Sequence, residues 1–234
     1  MPLHIDKHYS RMERGAGILG IPFIDRTKFL NTVDQAVTES GVDDAYVKLC
    51  LLAKGGLNYY EHASQADIAV VVKEYEPRER GVKTCISKIR RSSESPVHRL
   101  KSLNYLDNIL ARRESITEGC DESIFLNERG EVAEGSASNI FWVKGNTLYT
   151  PSIECGILPG TTRELLLSSA GQLGLDTEEG FYSPEFLSGS ACVFLTNALI
   201  GCLRVTDFNR LILSQNGEHY EAIKKLLLTK LGWV

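Results

Sequence analysis

The chain has 234 residues, which is enough for one domain or two small ones. Hydrophobic residues make up 43% and charged residues 24%, the composition of an ordinary soluble globular protein. The net charge of −4 argues against a nucleic-acid partner, and no apolar run is long enough to cross a bilayer. The first eight residues lack the apolar core of a signal peptide, so we expect no membrane association.

Six cysteines are spread along the chain without a Cys-x-x-Cys pair, and the five histidines do not cluster beside them. This pattern argues against a zinc site and against a thioredoxin-like motif. We therefore expect free, mostly buried thiols in a reducing cytoplasm, with no catalytic role for Cys155. The short basic run of Lys88, Arg90 and Arg91 is interpreted as a solvated segment.

Residues 1–74 are predicted to form a smaller α+β lobe, followed by a linker over 75–81 that contains Pro77 and ends at Gly81. Periodicity and capping signals predict its elements. They are a helix over 5–18, a helix from the N-cap Asp25 to about Gly41, and strands at 47–52 and 68–72. The second strand is apolar throughout, which predicts that both of its faces are covered.

Residues 82–234 are predicted to form a larger lobe that is richer in strands. The predicted strands are 82–89, 124–127, 139–143, 147–150, 192–196 and 202–205. A turn at 127–130 is predicted to join the second and third of these strands, and a turn at 144–146 closes a hairpin. Helices are predicted from Thr162 to Leu173 and from Glu218 to Leu231. Strands mixed irregularly with helices favour an α+β fold over a doubly wound sheet.

Lys101 stands directly before a predicted amphipathic helix. Four apolar residues with three-and-four spacing predict a buried stripe on that helix: Leu103, Leu106, Ile109 and Leu110. A lysine at the mouth of an apolar element is partly desolvated, which favours its neutral, nucleophilic amine. Taken alone, a solvated surface lysine is the more common interpretation.

Three further motifs follow Lys101. Glu134 is followed by small or polar residues and then by an apolar strand. The small residues would let another group approach the backbone closely, but a tight turn with an exposed Glu134 explains the pattern equally well. Residues 156–163 form a glycine-punctuated loop that leads into a helix N-terminus, which suits a phosphate but also a simple capped helix. A buried strand ends in Thr196 and Asn197, whose polar groups need partners.

In this order the motifs are specific, and the chain resembles the class IV pyridoxal-phosphate (PLP) aminotransferases. These include branched-chain and D-amino-acid aminotransferases and 4-amino-4-deoxychorismate lyase. The matching segments are Lys-Ser-Leu-Asn-Tyr-Leu, Glu-Gly-x-x-x-Asn-Ile-Phe, Leu-Pro-Gly-x-Thr-Arg and Thr-Asn-Ala-Leu. The resemblance implies a small amino substrate and PLP as cofactor.

The resemblance also implies residue roles. Lys101 takes the place of the lysine that forms a Schiff base with PLP and then moves the substrate proton. Glu134 takes the place of the carboxylate that pairs with the pyridine nitrogen and so makes the ring an electron sink. Tyr105 is expected near the phenolic oxygen of the cofactor.

The phosphate group is expected to bind at three places that match the family. The positions are Arg11, Thr161, Thr162, Asn197 and Ala198. The implied fold has two α+β lobes with PLP between them, as a homodimer that completes the site. Because the family normally begins upstream with additional strands, a truncated first lobe is expected, either because the true start lies upstream or because this is a reduced member.

The Thr-Asn-x-Leu turn is more similar to the 4-amino-4-deoxychorismate lyases than to branched-chain enzymes, which usually carry Gly-Thr-Ala-x-Glu there. The resemblance therefore favours a lyase that forms 4-aminobenzoate and pyruvate. A PLP-dependent aminotransferase of branched-chain or D-amino acids and a reduced, non-catalytic homologue remain as alternatives. A nucleotide-binding module is disfavoured because the loop at 156–163 lacks the Lys-Ser/Thr ending of a P-loop.

Overall fold

Two separate β-sheets divide the chain into two units. The computed structural model describes residues 2–56, 58, 61–77, 80–213 and 217–233. The first unit comprises Met1–Pro77 with Lys101–Leu103, and the second comprises Arg78–Leu100 with Asn104–Val234.

The first unit contains two helices and a two-stranded antiparallel sheet. Its elements are α1 (Ile5–Leu19), α2 (Arg26–Ser40), β1 (Ala45–Lys54) and β2 (Gln65–Glu74). The predicted helices are confirmed, and the Asp25 side chain caps α2 by accepting a hydrogen bond from the Lys28 amide. Tyr9, Phe29 and Val33 form the buried centre of this unit.

The prediction that β2 is covered on both faces is wrong. Its side chains alternate between partly buried and exposed along most of the strand, and Val71 is 40% exposed. Among the described residues, β2 pairs only with β1, and α2 packs against it, so one face of this strand remains open to solvent.

The second unit is built on a mixed, nine-stranded sheet within the described residues. Its strands are β3 (Val82–Arg91), β4 (Glu122–Asn127), β5 (Val132–Gly135), β6 (Asn139–Lys144), β7 (Thr147–Pro151), β8 (Asp176–Gly180), β9 (Cys192–Asn197), β10 (Gly201–Phe208) and β11 (Leu211–Ile212). Its helices are α3 (Pro96–Arg99), α4 (Leu106–Thr117), α5 (Thr161–Ser169) and α6 (Glu218–Leu231). Short 3-10 turns occupy Ile153–Cys155, Ala170–Leu173 and Pro184–Leu187.

The strand order is β5-β4-β3-β10-β9-β6-β7-β8, with β11 paired to β10. β3 runs parallel to both β4 and β10, β7 runs parallel to β8, and the other pairs are antiparallel. This mixture confirms the α+β fold class.

Both faces of the central strands are buried. On β6, Ile140 and Trp142 join one apolar cluster, whereas Phe141 and Val143 join another cluster with residues of α5 and α6. The alternation follows from the two-residue period of a strand, and it explains why β6 is an almost continuous apolar run.

Two local predictions about the second unit need correction. The turn at 127–130 leads into β5 rather than directly into β6, so Glu134 lies in a buried strand and not in an exposed turn. The predicted apolar stripe of α4 is exposed: Leu106, Ile109 and Leu110 are 62%, 43% and 44% exposed. The helix instead buries its small and polar residues, Asn108, Ala111 and Ser115.

The expectation of free thiols is wrong for two of the six cysteines. Cys85 on β3 and Cys120 after α4 form a disulfide, with their Cα atoms 6.0 Å apart. The two cysteines are 35 positions apart in the sequence, and the fold brings β3 close to the segment after α4. The spacing of the cysteines in the sequence does not reveal this proximity. The other four cysteines are free thiols, and burial raises the pKa of Cys155 to about 11.

Ile223→Ala tests the contribution of α6 to this core. Ile223 is fully buried, so the truncation should lower the free energy of unfolding by about 2–5 kcal/mol. Ile116→Ala is the matched control because Ile116 is 61% exposed, and its effect should stay within about 0.5 kcal/mol. Urea unfolding of both variants gives the comparison. Equal effects would contradict the packing of α6 described above.

Candidate active site

A buried ion pair joins β3 and β5 in the second unit. Arg91 is the last residue of β3, and its Nη2 atom lies 3.3 Å from Oε1 of Glu134 on β5. The two side chains are only 5% and 8% exposed. The Leu158 amide donates to the other carboxylate oxygen of Glu134 at 3.0 Å. A cation and an amide N–H therefore hold Glu134, and both favour its ionised form.

Arg91 was interpreted from the sequence as part of a solvated basic run, and that interpretation is wrong. Its guanidinium carbon lies 3.9 Å from the centre of the Phe125 ring. Burial lowers the pKa of Arg91, and the neighbouring Glu134 opposes that shift. Arginine nevertheless remains a cation in proteins. Arg91 lies two residues beyond the predicted strand 82–89, whereas the strand in the structure extends to Arg91. Its partner Glu134 could not be read from the sequence.

The loop at 156–160 is fixed from two sides before it enters α5. Gly156 has φ +82°, and a Cβ atom there would lie 2.8 Å from Ser92 O and Ser93 Cα. Asn139 donates through Nδ2 to the Leu158 carbonyl at 2.9 Å. A Cβ atom on Gly160 would lie only 2.1 Å from Asn139 Oδ1. Glycine at these two positions therefore allows the close approach that the notably tight loop requires.

The N-terminus of α5 offers donors of the kind that bind a phosphate. Thr161 and Thr162 are its first two residues, and its N-cap Gly160 provides no capping side chain. The Thr162 hydroxyl is buried and has no hydrogen-bond partner among the described residues. An unpartnered buried hydroxyl at a helix N-terminus fits the phosphate of PLP, since amide N–H groups and the helix dipole both attract anions there.

The turn after β9 is held by the side chain of Asn197. Its Oδ1 atom accepts from the Leu199 and Ile200 amides at 2.8 and 2.9 Å. Its Nδ2 group donates to the Ala137 carbonyl at 2.8 Å. Asn197 thus shapes the turn that contains Ala198. The preceding Thr196 hydroxyl is buried without a partner in the described part of the chain.

The loop at 135–138 receives contacts from several predicted site residues. Tyr105, at the start of α4, donates to the Ser136 carbonyl at 3.2 Å, and Asn108 donates to the same oxygen at 2.6 Å. The Ser136 amide and hydroxyl both donate to the buried carboxylate of Glu122. Glu122 pairs in turn with Arg112 at 2.5 Å. The structure therefore brings Tyr105, Glu134 and Asn197 to one loop.

Sequence reasoning missed the anchors of that loop. Asn108, Arg112 and Glu122 lie in segments where a polar residue has no distinctive signature, and the partners of Glu122 are distant in sequence. The sequence of α4 shows a polar face and an apolar face, but it does not show which of the two packs against the rest of the second unit.

Lys101 and Arg11 belong to the first unit. Lys101 is exposed, so the expectation of a partly desolvated lysine at the mouth of a buried apolar stripe is wrong. Arg11 lies on α1 and is half-buried, with its Nη2 atom 3.4 Å from Nδ1 of His8. Burial and the Arg11 charge lower the pKa of His8 to about 4, which keeps its ring neutral near pH 7.

Comparison with known proteins identifies the family. The pattern of the family described as Amino-transferase class IV matches residues 1–208. The chain belongs to the class IV aminotransferase family. This confirms the resemblance that the four motifs carry. An aminodeoxychorismate lyase of Bacillus subtilis (strain 168) is 30% identical over 233 residues, which cover 96% of this chain and 80% of that protein.

Solved structures support the same conclusion for the fold of this class IV member. A Legionella pneumophila protein provisionally named as a 4-amino-4-deoxychorismate lyase is 28% identical with a TM-score of 0.92, and the match covers 98% of this chain and 86% of that one. A branched-chain aminotransferase of Thermoproteus uzoniensis, solved with norvaline, is 28% identical with a TM-score of 0.89, covering 98% and 80%. The chain is therefore an enzyme of this family, and its relatives include both lyases and aminotransferases.

Gly156→Ala tests whether the loop before α5 is held as tightly as its contacts indicate. The added methyl would meet backbone atoms at 2.8 Å, so strain at a positive φ and overpacking both act. Overpacking typically costs about 1–3 kcal/mol beyond that strain. Gly145→Ala is the matched control, because Gly145 also has positive φ but nothing lies within 4 Å of an added Cβ. Similar unfolding free energies for the two variants would contradict the close backbone packing around Gly156.

Proposed function

We propose that this chain is a PLP-dependent lyase that converts 4-amino-4-deoxychorismate into 4-aminobenzoate and pyruvate. The observation that carries the PLP chemistry is the buried Glu134 carboxylate, which has a cation on one oxygen and an amide on the other. The relative that is 30% identical over 96% of this chain, an aminodeoxychorismate lyase, favours this reaction within the family. The Thr-Asn-x-Leu segment at the end of β9 supports the same choice.

PLP, when bound, supplies an electron sink for the bonds of the amino-bearing carbon of the substrate. In the proposal, the Glu134 carboxylate faces the pyridine nitrogen and stabilises positive charge there. Thr161, Thr162 and the start of α5 bind the phosphate, together with Arg11 and the turn containing Asn197 and Ala198. The assignment of Arg11 rests on the family resemblance.

Lys101 has two roles in the proposal. Its amine would form the covalent attachment to the cofactor. Once the substrate amine has displaced it, the freed Nζ atom would accept the proton that leaves the amino-bearing carbon. Loss of that proton would allow the ring C–O bond to the enolpyruvyl group to break, which makes the substrate ring aromatic. The departing enolpyruvyl group would take up a proton to give pyruvate. Tyr105 is proposed to lie near the phenolic oxygen of the cofactor, although its own proton is donated to Ser136 O.

The second candidate is an aminotransferase of branched-chain amino acids, which the similarity to the Thermoproteus uzoniensis enzyme favours. Aminotransferases of D-amino acids also belong to the group that the four motifs resemble. We further propose a homodimer, supported by the exposed apolar residues Leu106, Ile109 and Leu110 of α4. The described residues contain no helix that is both long and apolar enough to span a membrane. A cytoplasmic place in folate synthesis remains part of the proposal.

Borohydride reduction of the purified, cofactor-loaded protein tests the attachment residue. Peptide mapping should find the pyridoxyl label on Lys101, and Lys101→Ala should lose both the label and turnover. A label on Lys54 or Lys88 in the wild-type protein would contradict the assignment.

Glu134→Gln tests the carboxylate opposite the pyridine nitrogen. A neutral amide stabilises the ring charge less, so kcat should fall by about 10²–10³, equivalent to about 2.7–4 kcal/mol, while the cofactor stays bound. Glu131→Gln is the matched control, because Glu131 lies on the same segment but pairs with Arg129. An unchanged kcat in Glu134→Gln would rule out the proposed role.

The reaction itself is tested by supplying aminodeoxychorismate in one assay and leucine, glutamate or D-alanine with 2-oxoglutarate in others. The proposal predicts 4-aminobenzoate and pyruvate in equal amounts. Keto-acid exchange without those products would identify an aminotransferase instead. Absence of turnover in every assay of cofactor-loaded protein would favour the non-catalytic homologue.

A further inference from the structure

The Arg91 guanidinium has a second polar partner that the chemistry described so far does not use. Its Nη1 atom lies 3.0 Å from Nδ1 of His98, on the short helix α3. Arginine has five N–H donors and no acceptor, so this hydrogen bond requires an unprotonated Nδ1 on His98. The ring must then be neutral, with its proton on Nε2.

The guanidinium is thereby held at two ends over an aromatic ring. Nη1 donates to His98, Nη2 faces Glu134, and the Phe125 ring lies against its face. The remaining Nε atom is buried without a partner among the described residues. Because the guanidinium is planar and rigid, fixing Nη1 also fixes the direction in which Nη2 approaches the Glu134 carboxylate.

We infer that His98 is a positioning residue that acts through Arg91 on Glu134. A neutral His98 holds the guanidinium in the orientation that pairs with the carboxylate. A protonated His98 cannot accept this hydrogen bond and places a second cation against Arg91. The effect on turnover rests on the proposed function, whereas the hydrogen bond itself does not.

The charges around His98 favour the neutral ring. Burial lowers the pKa of His98 below its ordinary 6.5, the adjacent Arg91 lowers it further, and Asp107 of α4 opposes both. Glu134 and Tyr105 act on Arg91 from β5 and from the start of α4. Since the folded-state pKa is depressed, this arrangement stabilises the protein above about pH 6.5 and loses that contribution as pH falls below it.

Two substitutions separate the hydrogen bond from the titration. His98→Gln places a side-chain oxygen that can accept from Arg91 but does not titrate, and His98→Leu removes the acceptor. In cofactor-loaded protein, His98→Leu should lower kcat at pH 7.5 at least tenfold, with KM and cofactor content little changed. His98→Gln should stay within about threefold of the wild type at pH 7.5. We expect that kcat of the wild type falls below pH 6.5 and that His98→Gln lacks this fall.

A measurement on the ring keeps this inference separate from the proposed reaction. Nitrogen-15 NMR of histidine-labelled protein, with the His98 signals assigned from the His98→Gln spectrum, should show an Nε2–H tautomer and a pKa below 6.5. An Nδ1–H tautomer or a pKa at or above 6.5 would overturn the inference whatever the enzyme's substrate. Wild-type kcat and pH profile in a folded His98→Leu variant would also overturn it. If no substrate is turned over but the ring is neutral as described, the proposed function fails and the positioning contact stands.

Discussion

The ion pair between Arg91 and Glu134 is the interaction on which the second unit's site depends. Burying two charges is costly unless each has a partner and the remaining polar atoms are satisfied. Here the Leu158 amide, the His98 ring and the Phe125 face supply further contacts to the pair, whereas Arg91 Nε is buried without a partner among the described residues. The pair therefore links the end of β3, the strand β5 and the loop that leads into α5. Removing either partner would leave an uncompensated buried charge.

The loop that follows Glu134 connects the ion pair to Tyr105 and Asn197, two other proposed cofactor contacts. Tyr105 and Asn197 each donate a hydrogen bond to a carbonyl of that loop, and Glu122 accepts a hydrogen bond from the Ser136 amide. Asn139, immediately after it, holds the Leu158 carbonyl. The carbonyl groups of residues 136 and 137 therefore hold the side chains of Tyr105 and Asn197, which lie nearly a hundred positions apart in the sequence. Small residues in this loop allow that density of contacts, and a Cβ atom on Gly135 would collide with Ser138 Oγ.

Much of the fold could be predicted where local signals agree. The helices α1, α2 and α6 follow their periodicity and caps, and α6 buries Tyr220, Ile223, Leu227 and Leu231, which recur every three or four residues. The failures share a cause. The apolar residues of α4 and β2 have the spacing of buried residues, but parts of both surfaces are exposed. Periodicity shows which residues share a face of an element, and it does not show whether another element packs on that face. Arg91 and the Cys85–Cys120 disulfide depend on partners brought close only by the sheet. The family motifs predict a set of site residues, and both their place in one site and their roles stay predictions.

A double-mutant cycle on Arg91 and Glu134 tests the central claim most directly. Unfolding free energies would be measured for the wild type, Arg91→Met, Glu134→Leu and the double variant. Each single change should destabilise the protein by about 3–5 kcal/mol, because it leaves one charge buried and unpaired. The double variant should lose clearly less than the sum of the two. Losses that add to within about 0.5 kcal/mol would show that the two residues are energetically independent, and would contradict this account of the site.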